Sequence, residues 1–483
     1  MPKTKRLVYI LISTICILLI FAACGRSEED DGLDYIPEPQ DITQTLNIRM
    51  HYVGDAYFFR QAGRSMALEW EENGDIFELN IETFGAENVI SEVERLNAEL
   101  MAGSGPDIFC ISARHNLWRL SQSGFLTDFY SLIDQDPVLN RDDFFTNVLD
   151  AFTFEGGLYA FPLRFAFRFA GINLALPQEL IDRFAAHSII SDSELVAIYG
   201  DLMNLHGDEF DHLAMAHLFS FMRPIVFTSR AVGTYIDFDN RTSSLTDDGF
   251  ISFLTNLTHA FRDVSAGFGW YTVNPMADFV RMRHLSSVYA FFSLDHRFNL
   301  INSLFETLPD YQYFGHHIPI TDDKGRLLLN FYNNAYWSNA TTLAVTSSGN
   351  QALSWEYIQH LMQVMSNPAP NDFYLFSLPI KRSLVQDTLD NVFEHAYRLP
   401  MNYMRGFMGR IQPMGDAWSE SFETQVQIAT ERLLKYSEMP IAPFPTVPER
   451  LFEEFIEQMF LGIISPEDAA QHIHNTINLW LIE

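Results

Sequence analysis

Between residues 46 and 133 the apolar pattern switches repeatedly between a period of two and a period of 3.6. TLNIRMHYV reads as a strand, and FFRQAGRSMALEWEENG fits a helix that ends at Gly74. FELNIETFG alternates apolar and polar residues, as a half-exposed strand does. ENVISEVERLNAELMAGSGP places Val89, Val93, Leu96 and Leu100 on one helical face, and Gly103, Gly105 and Pro106 stop it. The short apolar strand DIFCIS follows, then a further helix over HNLWRLSQSGFLTDF. Strand and helix in alternation imply βαβ units, hence a mainly parallel sheet with helices on both faces. In such sheets ligands bind beyond the carboxyl ends of the strands, here the segments 52–57 and 112–115.

The remainder is less regular. EGGLYAFPLRFAFRFAGIN, at 155–173, opens on a hairpin turn and continues as an extended apolar run interrupted by Arg164 and Arg168. Residues 175–300 are more helical and richer in histidine. Strand-like segments return in YFGHHIPI and TTLAVTSS, followed by the helix QALSWEYIQHLMQVMSN. The chain closes on ISPEDAAQHIHNTINLWLIE, where Ser465, Pro466 and Asp468 are an N-cap, a first-turn proline and an acid three residues on.

The first residues fix the compartment. Lys3, Lys5 and Arg6 precede an uncharged stretch from Leu7 to Ala23 that ends in Ala22-Ala23. This is shorter than the about 20 residues a spanning helix needs, and it has the charged, apolar, small order of a secretory signal. Cys24 comes next, and Phe-Ala-Ala-Cys resembles the lipobox of bacterial lipoproteins. The resemblance implies cleavage after residue 23 and lipidation of Cys24. Residues 24–45 are acidic, contain proline and lack apolar periodicity, so they read as a flexible linker. An uncleaved signal anchor is the alternative.

The net charge of −31 disfavours binding to nucleic acid or to anionic lipid. Of three cysteines, Cys16 lies in the signal and Cys24 in the lipobox, so Cys110 has no partner for an internal disulfide and reads as a buried strand residue.

Six segments together resemble the extracellular solute-binding proteins (family 1, sugar type) of ABC importers. They are LNAELMAGSGPDIFCIS, SGFLTDFYSLID, EGGLYAFPLRF, YIDFDNRTSSLTDDGFISFL, TTLAVTSSGNQALSWEYIQHLM and GIISPEDAAQHIHNTINLWL, in that order along the chain. The resemblance implies a two-lobed α/β fold of the periplasmic-binding-protein type (type II), each lobe a mainly parallel sheet flanked by helices. The N-terminal lobe is expected to hold 46–161 and 310–362, the C-terminal lobe 162–309 and 363–483, with the ligand cleft between them. It further implies a monomer tethered to the outer face of a Gram-positive-type cell membrane, closing on a carbohydrate or oligosaccharide and delivering it to the permease subunits of an ABC importer. No cofactor is implied. Ile172-Asn173 stands where many relatives have Tyr-Asn, and the second-lobe half is longer than in compact relatives.

Sugar sites stack rings on aromatic faces and bind hydroxyls with carboxylates and guanidinium groups. The residues of those types at the expected cleft edges are Tyr52, Asp55, Tyr57, Arg114, His115, Arg164, Arg168, Trp270, Asp295, Tyr336 and Trp337. Arg164 and Arg168, four apart on an extended run, are expected to share a face. They suit an anionic solute if they reach the cleft, and local acids if they do not. No nucleophile elbow, P-loop or dinucleotide fingerprint is present. His316-His317 and His472-x-His474 lack a third ligand and read as non-ligands. A ligand sensor presenting to a membrane kinase and a secreted polysaccharide-active enzyme remain as alternative functions.

Overall fold

The computed structural model describes residues 43–51, 56–85, 88–111, 115–165, 167–173, 178–206, 224–260, 292–293, 314–329, 342–366, 378–388, 431, 434–444 and 447–482. Leu46, Ile48 and Met50 alternate inward along β1 (Thr43–His51) and are fully buried. Helix α1 (Ala56–Glu72) covers them with Phe58, Phe59, Ala62 and Met66, which recur at helical spacing. Gly74, at φ +84°, ends that turn of chain before β2 (Ile76–Phe84). Helix α2 (Val89–Met101) adds Leu96 and Leu100, and all three residues of β3 (Ile108–Cys110) are buried because both faces of this central strand are covered. Each large aliphatic or aromatic side chain withdrawn from water here stabilises the fold by about 1.5–3 kcal/mol.

The helix expected over residues 115–129 is two helices, α3 (Leu117–Gln122) and α4 (Phe129–Gln135). Gly124, at φ +71°, breaks the run, and Leu126 then bridges to Thr346 while the Thr127 amide donates to Val345 O at 2.9 Å. Tertiary pairing with a distant strand outweighs local helical periodicity at this point.

Farther along come β4 (Phe161–Pro162), β5 (Arg164–Phe165), β6 (Phe169–Asn173), β7 (Ile190–Ser191), α5 (Asp192–His206), α6 (Pro224–Thr234), β8 (Ile236–Asp237), β9 (Thr242–Ser243), α7 (Asp248–Ala260), β10 (Phe292–Ser293), β11 (Phe314–Thr321), β12 (Thr342–Val345), α8 (Gln351–Ser366), β13 (Leu378–Pro379), α9 (Glu453–Phe460) and α10 (Pro466–Ile482). The first sheet runs β2-β1-β3-β12-β4, with β2, β1 and β3 parallel and both β12 pairings antiparallel. The second runs β10-β6-β11-β7, antiparallel except where β11 meets β7. Both sheets are therefore mixed, a correction to the mainly parallel expectation. β12 and β4 enter the first sheet from crossing segments rather than from βαβ units, which alone enforce parallel pairing.

The segment expected whole in the first lobe, 310–362, is shared: β11 joins the second sheet, and β12 and α8 join the first. Helices α5, α7, α9 and α10 pack with the second sheet region, and hairpin β8–β9 lies against α10. Ser465 caps α10 as its sequence predicts, accepting from the Asp468 amide at 3.1 Å while its own amide reaches Asp468 Oδ2 at 3.4 Å.

Candidate functional site

The parallel strands set one end of the first sheet. His51 is level with Phe84, and Arg49 with Phe109, so β1, β2 and β3 finish together and the chain leaves each at the same edge. Tyr57 follows β1 in the first turn of α1 and is 52% exposed, its ring edge-on to that of Phe58 at 5.5 Å. His115 follows β3 and is buried, its ring 5.8 Å from that of Phe109. Its carbonyl accepts from the Leu117 amide at 2.9 Å, and Asn116 caps α3 through the Arg119 amide at 3.1 Å. Adjacent strands thus bring Tyr57 and His115 to one edge, as expected of βαβ topology.

Three carboxylates tie segments together away from that edge, Asp107 at the opposite end of the sheet, where β3 begins and β12 ends. Asp107 Oδ2 accepts from Asn47 N at 2.8 Å and Nδ2 at 3.1 Å, and its Oδ1 accepts from Asn350 N at 3.0 Å. Asp128 Oδ1 caps α4 through Tyr130 N at 2.9 Å and also accepts from Leu158 N at 2.8 Å in the Thr153–Phe154/Gly157–Leu158 hairpin. Asp136 Oδ2 accepts from Trp355 Nε1 at 2.8 Å and Gln359 Nε2 at 2.7 Å. Burial opposes ionisation of Asp136. The Leu139 and Val138 amides with those two side chains nevertheless hold its carboxyl below the ordinary value.

The chain crosses between the sheets along residues 161–173. β4 pairs with β12 in the first sheet, β5 pairs with β13, Phe167 bridges to Leu329, and β6 pairs with β11 in the second. Arg164 is 2% exposed and donates to Met365 O at the end of α8, where a cation also meets the negative end of the helix dipole. Arg168 is half-buried. Its amide donates to Leu328 O at 3.0 Å, its carbonyl accepts from Ile320 N at 2.8 Å, and its Nε reaches Leu329 O at 3.4 Å. The two guanidinium groups end on carbonyls from different segments, because their strand is not one uniform extended run but changes partner between them. Cys24, Tyr52, Asp55, Arg114, Trp270, Asp295, Tyr336 and Trp337 lie outside the described residues.

A second junction was not legible in the sequence. Trp118 of α3 packs on Trp480 of α10, ring centroids 5.0 Å apart, and on Phe238 at 5.7 Å. Arg119 donates to Trp480 O at 2.8 Å, and the Arg241 guanidinium lies 5.8 Å from the Trp118 ring. Helix α10 is thereby joined to the first sheet's helices. Only the aromatic character of these residues was visible beforehand, and it does not name a partner. Histidines of α10 have structural neighbours: His472 stacks on Phe455 at 5.1 Å, and His474 Nδ1 is 3.0 Å from Ser243 Oγ. Among the described residues no group of His, Cys, Asp or Glu is arranged to hold a metal ion, and no helix is long and apolar enough to cross a membrane.

No family model matches the sequence, and no curated protein is significantly similar to it. Solved structures are similar. Two structures of a protein from Synechococcus sp. MITs9220, assigned as an oligosaccharide periplasmic-binding protein, match 90% of this chain and 99% of their own at 14% identity. Their TM-scores are 0.52, for the complex with zinc, and 0.50. An ABC transporter solute-binding protein from Thermotoga lettingae TMO, bound with alpha-D-tagatose, matches 91% of this chain and all of its own at 13% identity, with a TM-score of 0.48. The Synechococcus likeness, over nine-tenths of the chain, shows a shared two-lobed α/β fold.

Proposed function

We propose that this chain, which has the two-lobed fold of periplasmic solute-binding proteins, is an extracellular carrier that captures a carbohydrate or oligosaccharide and delivers it to the permease of an ABC importer. The observation that carries this reading is the likeness of the fold to the Synechococcus protein over 90% of the chain. Tyr57 and His115 at the carboxyl edge of the first sheet agree with it, since ligands bind at that edge in open α/β sheets. The candidates outside the described residues extend the same proposal.

Closure follows from elementary linkage. A solute that touches both lobes only in the closed form stabilises that form by its differential affinity. The crossing segments 161–173 and 327–329 are where the backbone accommodates such motion. Residues 1–23 act in this reading as the signal, Cys24 as the lipidated first residue and 24–45 as the linker. Two acyl chains suffice for stable anchoring, at about 0.8 kcal/mol per buried CH2.

Thermal unfolding of the purified chain against a panel of neutral and acidic mono- and oligosaccharides tests the carrier reading. A sugar that raises Tm and is recovered unchanged supports it. Recovery of shortened oligosaccharide instead identifies an enzyme, and no shift with any sugar removes the carbohydrate assignment. Mass spectrometry of the mature N-terminal peptide tests the anchor, which requires a diacylglyceryl adduct on Cys24.

A further inference from the structure

The outer face of α1 carries charges that the described part of the molecule does not use. The inner face of α1 is committed to the core through Phe58, Phe59, Ala62 and Met66. On the solvent side Arg60, Gln61, Arg64 and Leu68 fall within an arc of about 100° at 3.6 residues per turn. All four are exposed, Leu68 at 63%. Among the described residues Arg49, Arg95, Arg183, Arg230 and Arg326 each meet a carboxylate within 3 Å, and neither Arg60 nor Arg64 meets one.

This placement gains nothing for the fold. Arg60 and Arg64, at i and i+4, repel one another along the helix. Arg60 stands just past the first turn, which carries no acid, and Arg64 is the central residue of the helix, so neither is favoured by the helix dipole. Leu68 leaves apolar surface in water. The chain has 62 acidic residues against 31 basic ones, so two neighbouring arginines that meet no carboxylate among the described residues are not a surplus of cations.

We propose that this face of α1 is a docking site for a protein surface rich in carboxylates. Resting on the carrier reading above, that surface belongs to the extracellular side of the importer's permease subunits. Guanidinium groups favour carboxylates by paired, charge-assisted hydrogen bonds, and Leu68 supplies an apolar contact beside them. Helix α1 begins directly after the carboxyl edge of β1, so a partner seated there lies beside the edge at which ligands bind. The chain's net charge of −31 opposes any anionic surface at long range, so the attraction is local to the guanidinium pair, and it is the carrier reading that selects the permease over an anionic membrane.

The test uses the full chain and the cognate permease subunits in nanodiscs of zwitterionic lipid. Arg60→Glu/Arg64→Glu is expected to bind the permease at least tenfold more weakly than the wild type. Arg60→Lys/Arg64→Lys should retain most of the affinity. Both variants should keep the wild-type Tm and the wild-type thermal shift with solute, which separates docking from folding and from capture. Equal permease affinity for Arg60→Glu/Arg64→Glu and the wild type overturns the docking site and leaves the carrier reading standing. A wild-type chain that ignores the permease overturns both. Two further arms name other occupants: binding to vesicles containing anionic lipid, or self-association in sedimentation, lost in Arg60→Glu/Arg64→Glu while permease binding is kept, each overturns the assignment.

Discussion

The amide of Asn350 donates to Oδ1 of Asp107 at 3.0 Å, across 243 positions of sequence. The other oxygen of the same carboxylate accepts from Asn47, so Asp107 ties together β1, β3 and the start of α8. The turn before α8 is tight: a Cβ on Gly349 would stand 2.8 Å from Asp107 Oδ1. Two of the sequence segments that resemble solute-binding proteins, GSGPDIF and TSSGNQAL, meet at this carboxylate.

Replacing Asp107 by alanine removes the acceptor of three donors at once. A hydrogen bond to a charged group contributes about 1.5–3 kcal/mol, and water substitutes in part at this half-exposed position. Asp107→Ala should therefore cost about 2 kcal/mol, read as a lower urea midpoint at unchanged slope. An unchanged midpoint would show that the turn holds α8 without it.

Asp136 predicts a dependence on acid. Despite burial, the Leu139 and Val138 amides, Trp355 and Gln359 keep its carboxyl below its ordinary value of 3.8. A depressed carboxylate contributes stability that is present above the unfolded value and is lost as pH falls through the folded one. Asp136→Asn should lower Tm at pH 7, with the gap to wild type closing only below about pH 4. A gap independent of pH down to acid unfolding would mean the charge is not what matters.

Tyr235 predicts the opposite end of the scale. Burial, with the nearby Asp323 carboxylate, pushes its phenol up to about 12. Its hydroxyl donates to Asp323 Oδ2 at 3.4 Å. A raised value favours the neutral form in the fold, so this contribution is intact below about pH 10 and declines between there and the folded value. Tyr235→Phe should flatten the loss of stability in that window. Equal alkaline melting curves for variant and wild type would contradict it.

Tyr57 and Arg164 should separate binding from stability. Arg164 is almost fully buried on the carbonyl of Met365, so Arg164→Gln should lower stability by about 3 kcal/mol. Tyr57 is exposed, so Tyr57→Ala should leave stability within about 0.5 kcal/mol. Under the carrier reading the same change weakens sugar binding about tenfold, or about 1.4 kcal/mol, by calorimetry. Tyr57→Ala with full affinity places the sugar elsewhere.

The strands and helices of residues 43–110 were legible because period two and period 3.6 are local properties, enforced by which face is buried. The capping box at Ser465 was legible for the same reason: its hydrogen bonds span three residues. The split between α3 and α4 was not, since a long-range bridge of Leu126 to Thr346 decides it. Among candidate site residues, those following β1 and β3 could be placed at one edge from topology alone. The burial of His115 and Arg164 could not, because burial depends on what other segments bring against them.

By itself the sequence determined the α/β class and the edge at which strands deliver their loops. These follow from local periodicity, charge and spacing. Only the tertiary structure decided that both sheets are mixed, that Arg164 and Arg168 serve different carbonyls, that α10 locks onto α3 through Trp118 and Trp480, and that Arg60 and Arg64 meet no carboxylate among the described residues. Each of these depends on which distant segments meet, and pairing across hundreds of residues leaves no periodic trace in the chain.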